Sequence, residues 1–421
     1  MNISNKKKEV AVLDLGTQVI CSGIIEKDAR NKEDIYPTNS EKMRALGVGN
    51  QLAKGIEFGT IKNFEALEDS ILEAIISAEK EAEKSIKSVF IAIPTWATHL
   101  HRIKTSIDIG KIPVDEVHLS ALQKFDTSKY MEDNREIIHT FPVSYTVDDI
   151  EGIQEPQGLI GNKLSAIFHI VSAPSLFLQN IKNCLTHNNI EVSGFISSTY
   201  ASALSVVSNE EISMGVTIID IGASTTSIAC MKNGVLLYLD YIPLGGQKIT
   251  DDIALVLKTT RSSAERMKRL YGVAVDSIGN DQILISKIDD YGEEHAQNIS
   301  HKELDVIISA RLEEILDKVQ DHVYAHIADK VLLQSVIITG GGSQLSGLSE
   351  FIRSKRYFSD VRVRLGKPIG MTGSHDFVRT PSFASAAGTA LYCFGEFAGK
   401  DLEINDKSLW KKLIIWFKRG I

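Results

Sequence analysis

Two turns in this sequence set an acid, a glycine and a hydroxyl side by side. The first ends Val10-Ala11-Val12-Leu13-Asp14-Leu15-Gly16-Thr17, with Gln18 next and an apolar, β-rich return over residues 19–25. Some 206 positions later, Val216-Thr217-Ile218-Ile219-Asp220-Ile221-Gly222-Ala223-Ser224-Thr225 repeats the pattern and returns through residues 226–230. Each copy reads as a buried strand, a tight turn and a returning strand. Glycine lets a backbone approach phosphate closely, and the N–H groups of such a turn, with a Ser or Thr hydroxyl, can hold its oxygens. Asp14 and Asp220 face the same space and can position Mg²⁺ through water, because magnesium keeps most of its hydration shell. A lone D-x-G is also an ordinary β-turn. Two on matching strands, facing each other, would clamp a triphosphate from both sides.

A third element follows the strand-like run Ser335-Val336-Ile337-Ile338-Thr339. Gly340-Gly341-Gly342-Ser343 would let a flat group such as a purine lie on bare backbone, and the segment beyond opens a helix whose N-terminus favours phosphate. Alone, it also suits a Rossmann-type glycine loop, but the acidic strand ends upstream argue against that. There is no G-x-x-x-x-G-K-[ST], which excludes a P-loop.

These turns need strands and helices to hold them, and 421 residues exceed one hydrophobic core, so two or more subdomains are expected. A net charge of −8 disfavours general nucleic-acid binding. Cys21, Cys184, Cys230 and Cys393 stand singly, as buried reduced thiols would. The N-terminus is basic but has no apolar run behind it, so it lacks a signal-peptide core, and no segment reaches roughly 18 apolar residues. The body is expected in the cytosol.

The constellation resembles the actin, chaperone and sugar-kinase ATPase superfamily. Asp14 to Thr17 looks like its first phosphate loop, Asp220 to Thr225 its second, and Gly340 to Gly342 its adenosine loop. Residues 197–204 and 383–391 look like the two helices that cross between lobes. Within that superfamily the chain is most similar to the bacterial cell-division family FtsA, through residues 215–222, 242–254 and 262–272. The resemblance implies a two-lobed actin-like α/β fold with a small α+β insert and a C-terminal amphipathic helix. It places 8–88 and 171–205 in the first lobe, 89–170 in the insert, 206–250 with 336–395 in the base of the second lobe, and 251–335 in its upper part. Residues 396–407 would be a linker. The resemblance also assigns ribose and adenine contacts to Glu265 and Lys268, which at i, i+3 could equally be a surface ion pair. It implies bound ATP and Mg²⁺, self-assembly into filaments, contacts with later division proteins through the insert, and capture of the FtsZ C-terminal tail near Arg311. An internal ion pair with Glu314 is an equal reading of Arg311. Catalytic relatives carry Glu or Gln in the first crossing helix; Ile196-Ser197-Ser198-Thr199-Tyr200-Ala201-Ser202-Ala203 has neither, so hydrolysis is expected to be slow at most. His322 and His326, lacking the acid of H-E-x-x-H, read as surface residues. A pilus-assembly adaptor and a sugar or metabolite kinase are the rival readings.

The last segment stands without any family. On a helical wheel Leu409, Trp410, Leu413, Ile414, Trp416 and Phe417 share an arc of roughly 160° with Ile421. Lys411, Lys412, Lys418 and Arg419 lie opposite, with Ile415 among them. Fourteen residues make a helix about 21 Å long, too short to cross a bilayer. Four cations and no acid, in a chain of net charge −8, fit a helix lying in the headgroup plane of an anionic membrane. Docking on the protein's own core is the alternative. The expected location is the cytoplasmic face of the inner membrane at the division septum.

Overall fold

The computed structural model describes residues 8–27, 43–57, 60–124, 134–275, 282–288, 294–326, 335–355, 361–373 and 375–395. Two sheets form the base of two lobes. In the first, the order is Glu191–Ser197, Ser88–Ile93, Lys8–Leu15, Val19–Lys27, Met43–Leu52 and Met371–Gly373. In the second it is Arg362–Leu365, Ser335–Thr339, Val216–Ile221, Thr226–Lys232 and Val235–Ile242. Both run parallel, parallel, then antiparallel from the same edge. The central strands are covered on both faces, which is why they read as near-continuous apolar runs; Ser335–Thr339 is buried at every residue.

The duplication holds at the level of register. Leu15 pairs with Ile20 across the first turn and Ile221 with Thr226 across the second, so each turn has the same length and each Asp sits one residue before it. Asp14 lies beside Ala92 on its parallel neighbour, and Asp220 beside Thr339.

The insert is a four-stranded sheet, His99–Pro113, Ile160–Pro174, Arg135–Val147 and Ile150–Ile153, with helix Glu116–Leu122 against it. Its core is its own, built on Ile103, Tyr145, Leu164 and Phe168. The expected boundary at residue 89 shifts. Ser88–Ile93 lies between two strands of the first sheet, and the apolar run that suggested an insert strand reflects burial at the centre of that lobe.

The upper second lobe consists of helices Gly246–Val256, Arg261–Tyr271 and His301–His326 with the hairpin Gln282–Ile288 and Glu294–Ser300. They close over one core containing Ile253, Met267, Ile308 and Leu316. Helices Ser198–Val206 and Ala384–Phe394 cross between the lobes. The first follows a first-lobe strand, yet Ala201, Ala203 and Val206 pack with Val216, Ile218 and Ile337 of the second sheet. The second comes after the last strand of the second sheet, Arg362–Leu365, yet Ala386, Ala387 and Ala390 pack with Val12, Cys21 and Ile25 of the first. Met371–Gly373 also pairs with Met43–Leu52, so residues 371–394 complete the first lobe instead of the base of the second. Cys21, Cys184, Cys230 and Cys393 are free thiols. Among the described residues no helix is long and apolar enough to cross a membrane. The expected linker 396–407 and amphipathic helix 408–421 lie outside the described residues.

Candidate functional site

The second turn is built as a rigid cradle. Gly222 N–H donates to Thr225 O at 2.9 Å, and the turn's carbonyls at Gly222 and Ala223 accept from Gly246 N–H (2.9 Å) and Gln247 N–H (2.8 Å). The start of helix Gly246–Val256 is therefore stitched beneath the turn, and it comes close because Gly245 has no side chain. A Cβ there would stand 2.5 Å from Ala223 O. Ser224 donates its hydroxyl to Gln247 Oε1 at 3.0 Å. In the first turn Gly16, Thr17 and Gln18 are half-buried, and the Gln18 carbonyl accepts from Ala53 N–H at 2.9 Å.

The glycine loop meets the second turn. Gly340 takes φ +86°, and a Cβ on it would lie 2.2 Å from Asp220 Oδ1; a Cβ on Gly342 would lie 2.5 Å from Ile221 Cγ2. Both positions need bare backbone. The segment after the glycines is a short 3₁₀ turn, Gly341–Gln344, and the α-helix begins only at Leu348. Ser343 departs from expectation: it is buried and its hydroxyl donates to Gly340 O at 2.7 Å, so it shapes the loop instead of facing a ligand.

Glu265 and Lys268 form an ion pair at 2.7 Å, but not an idle one. Lys268 Nζ also donates to Gly246 O (2.9 Å) and Thr250 Oγ1 (2.7 Å), and Thr250 donates to Glu265 Oε2 (2.5 Å). Burial alone would raise the Glu265 carboxyl; hydrogen bonds from Lys268 and Thr250, with the charges of Lys268 and Arg269, carry it below its ordinary value. An ideal Cβ at Gly246 stands 3.6 Å from Gly222 O, 3.9 Å from Gly342 Cα and 3.9 Å from Lys268 Nζ. Second turn, glycine loop, helix start and basic residue thus converge on one point.

The two carboxylates lie where that cradle meets the first lobe. Burial pushes Asp14 up to about 7, against a hydrogen bond from Ser385 and with help from the charge of Asp220. Burial likewise raises Asp220 to about 6, against a hydrogen bond from Ser202. Two acids that resist ionising together are a place where a cation would be welcome. Among the described residues no three His, Cys, Asp or Glu are grouped to cage a metal, so a cation here would keep most of its water.

Three groups of site residues escaped the sequence reading: Ser202 and Ser385, Gly245 with Gln247, and Thr250. A signal for the first existed. Tyr200-Ala201-Ser202-Ala203 and Phe383-Ala384-Ser385-Ala386 are the same aromatic-Ala-Ser-Ala motif on the two crossing helices.

Arg311 stands apart from this cleft. Its Nε and Nη2 grip Asp252 at 2.5 and 2.9 Å, and Nη1 bonds Glu314, so the internal ion pair is formed. His322 is a tie between helix and edge strand, bonded to Tyr238 Oη (2.7 Å) and Asp240 Oδ2 (3.1 Å).

Comparison with known proteins decides the family. The profile of "Cell division protein FtsA" matches residues 217–388, and that of the "SHS2 domain inserted in FTSA" matches 97–172. The cell division protein FtsA of Agrobacterium fabrum is 30% identical over 394 residues, covering 93% of this chain and 88% of that one. This chain belongs to the FtsA family. FtsA of Escherichia coli K12 is 28% identical over 432 aligned positions, covering 98% and 96%. Among solved structures, the PilM–PilN type IV pilus biogenesis complex shares the fold at TM-score 0.63 and 16% identity, covering 92% and 98%. MreB5 of Spiroplasma citri bound to ADP does so at 0.54 and 15%, covering 91% and 96%. The actin-like fold and the FtsA-type insert are thus established, and this is an actin-like cell-division protein. The pilus and kinase readings keep only the fold.

Proposed function

We propose that this FtsA-family protein binds ATP with Mg²⁺ in the cleft, assembles into filaments, and anchors FtsZ filaments to the cytoplasmic membrane. The observation that carries the nucleotide part is the convergence of Gly222, Gly246, Gly342 and Lys268 beside two half-buried carboxylates. The donor set fits: bare glycine backbone for phosphate and purine, and Asp14 and Asp220 for the water shell of a magnesium ion, which would neutralise phosphate charge. MreB5, a neighbour in fold, has been solved with ADP and with AMPPNP.

The first crossing helix offers hydroxyls only. Thr95 Oγ1 lies 2.7 Å from Thr199 Oγ1 and 3.2 Å from Ser197 Oγ, a set that braces the helix start and supplies no general base. Binding, with slow turnover at most, is the reading. The membrane role is assigned to the amphipathic residues 408–421, capture of the FtsZ tail to the upper second lobe around Arg311, and later division proteins to the insert. A tail carboxylate reaching Arg311 would compete with Asp252. The test is sedimentation with anionic vesicles, with and without residues 408–421, in ATP, ADP and no nucleotide. Vesicle binding that survives removal of the segment overturns the anchor, and Asp14→Ala or Asp220→Ala with unchanged nucleotide affinity overturns the clamp.

A further inference from the structure

The crossing helices do more than join the lobes. Ser385 Oγ donates to Asp14 Oδ1 at 2.9 Å, and Ser202 Oγ donates to Asp220 Oδ2 at 2.7 Å. Among the described residues each carboxylate accepts this single side-chain hydrogen bond. A carboxylate on a strand end can turn about two side-chain torsions, whereas a serine on a packed helix has one. Ser202 is fully buried and Ser385 nearly so, so each hydroxyl fixes the direction of the oxygen it meets.

The serines are also joined to each other. Ala201, next to Ser202, turns its carbonyl onto the bare face of Gly388, where a Cβ would stand 1.6 Å from that oxygen. Ser385 lies three residues before Gly388, on the same helix face. A second bond, Ser205 Oγ to Ala384 O at 2.7 Å, locks the helices beside this contact. Asp220, Ser202, the Ala201–Gly388 contact, Ser385 and Asp14 form one continuous path between the lobes.

We propose that Ser202 and Ser385 are positioning residues for the two carboxylates, joined through the helix contact, and that magnesium-dependent nucleotide affinity requires both hydroxyls. This rests on the nucleotide reading above. The test measures a fluorescent ATP analogue on the full chain, in Mg²⁺ and in EDTA, and reads the ratio of the two affinities. Ser202→Ala and Ser385→Ala each lower that ratio about tenfold, the scale of one hydrogen bond to a charged group. Ser205→Ala, which removes the hydroxyl bonded to Ala384 O and Ser202 O without touching either carboxylate, lowers thermal stability and lowers the ratio much less than either carboxylate-bound serine does; an equal loss overturns the direct role of Ser202 and Ser385. If an alanine variant does not fold, Ser202→Cys and Ser385→Cys fill the site with a slightly larger group that is only a weak donor, and are held to the same reduced ratio. A wild-type preference for Mg²⁺ that survives these substitutions overturns the proposal alone. Wild-type binding that is indifferent to Mg²⁺ overturns the clamp reading as well.

Discussion

Gly388→Ala is a substitution whose sign reverses between an isolated helix and this one. In an exposed helix interior, Gly to Ala gains about 1 kcal/mol from backbone propensity. Here the new methyl would stand 1.6 Å from Ala201 O, 2.3 Å from Ala201 C and 3.0 Å from Ala201 Cα. The obstacle is backbone, which cannot turn aside as a side chain would, so the helices must part by roughly 1.5 Å to restore ordinary contact. Parting them stretches the Ser205–Ala384 bond at 2.7 Å and loosens Tyr200 and Ala387, both buried. Overpacking of this kind costs about 1–3 kcal/mol or more, and with the lost bond the net expectation is about 2–4 kcal/mol of destabilisation. For a fold of this size that lowers Tm by about 2–5 °C. Thermal unfolding followed by circular dichroism, without nucleotide so that ligand linkage does not mask the change, reads it directly. Gly341→Ala is the control: its Cβ would meet only Ser382 Oγ at 3.4 Å, and Tm should hardly move. A Gly388→Ala protein as stable as wild type would refute the reasoning, because the helices would then not touch as described.

Asp220→Asn should stabilise the nucleotide-free protein at pH 8 while abolishing the magnesium-dependent gain in affinity. Burial holds Asp220 at about 6 against 3.8, so its contribution to stability is whole below pH 3.8 and lost as pH rises through 6. Asn escapes that loss, and the gap between the two in urea unfolding should change by about 2–3 kcal/mol from pH 4 to 8; a constant gap counts against the shift. His139, buried among Phe141, Tyr200 and Tyr392, is pushed by burial down to about 3 from 6.5. The unfolded chain therefore binds its proton more readily, and stability present above pH 6.5 is lost as pH falls toward 3. At pH 5 the loss is about 2 kcal/mol, and His139→Phe should be spared it; equal acid sensitivity in both proteins would show that His139 is not held neutral. Arg311→Ala should cost about 1 kcal/mol of stability, since the pair with Asp252 is partly solvated, and should weaken an FtsZ tail peptide in fluorescence anisotropy. Unchanged peptide affinity would confine Arg311 to its internal role.

The two acidic turns were legible because a phosphate-type turn is a local object. Its Asp, Gly and hydroxyl fall within five residues of each other, and its flanking strands announce themselves by burial. Even their spacing of some 206 residues translated into identical register. What sequence concealed was partnership across long separations. The repeated aromatic-Ala-Ser-Ala motif pairs Ser385 with Ser202 but does not say that Ser385 meets a carboxylate 371 positions away, and nothing local marks Gly246 as the floor beneath Gly222. Ser343 looked available because a hydroxyl after three glycines resembles a ligand group, yet a tight turn used it internally. The insert boundary was misread for a related reason. The strand Ser88–Ile93 is apolar whichever sheet it joins, and only its pairing with Lys8–Leu15 assigns it.

The swap of segments between lobes bears on how the chain is made. Every strand of the second sheet lies between residues 216 and 365, so that lobe can close soon after its own residues emerge from the ribosome. The first lobe, although synthesised first, waits for Met371–Gly373 and for the helix that covers Val12, Cys21 and Ile25. At bacterial elongation rates that interval is on the order of tens of seconds, during which an apolar sheet face stays uncovered. Completion thus runs opposite to synthesis. A truncation near residue 380 would do its first damage at the other end of the chain, and a nascent chain in this window is where a holdase should bind.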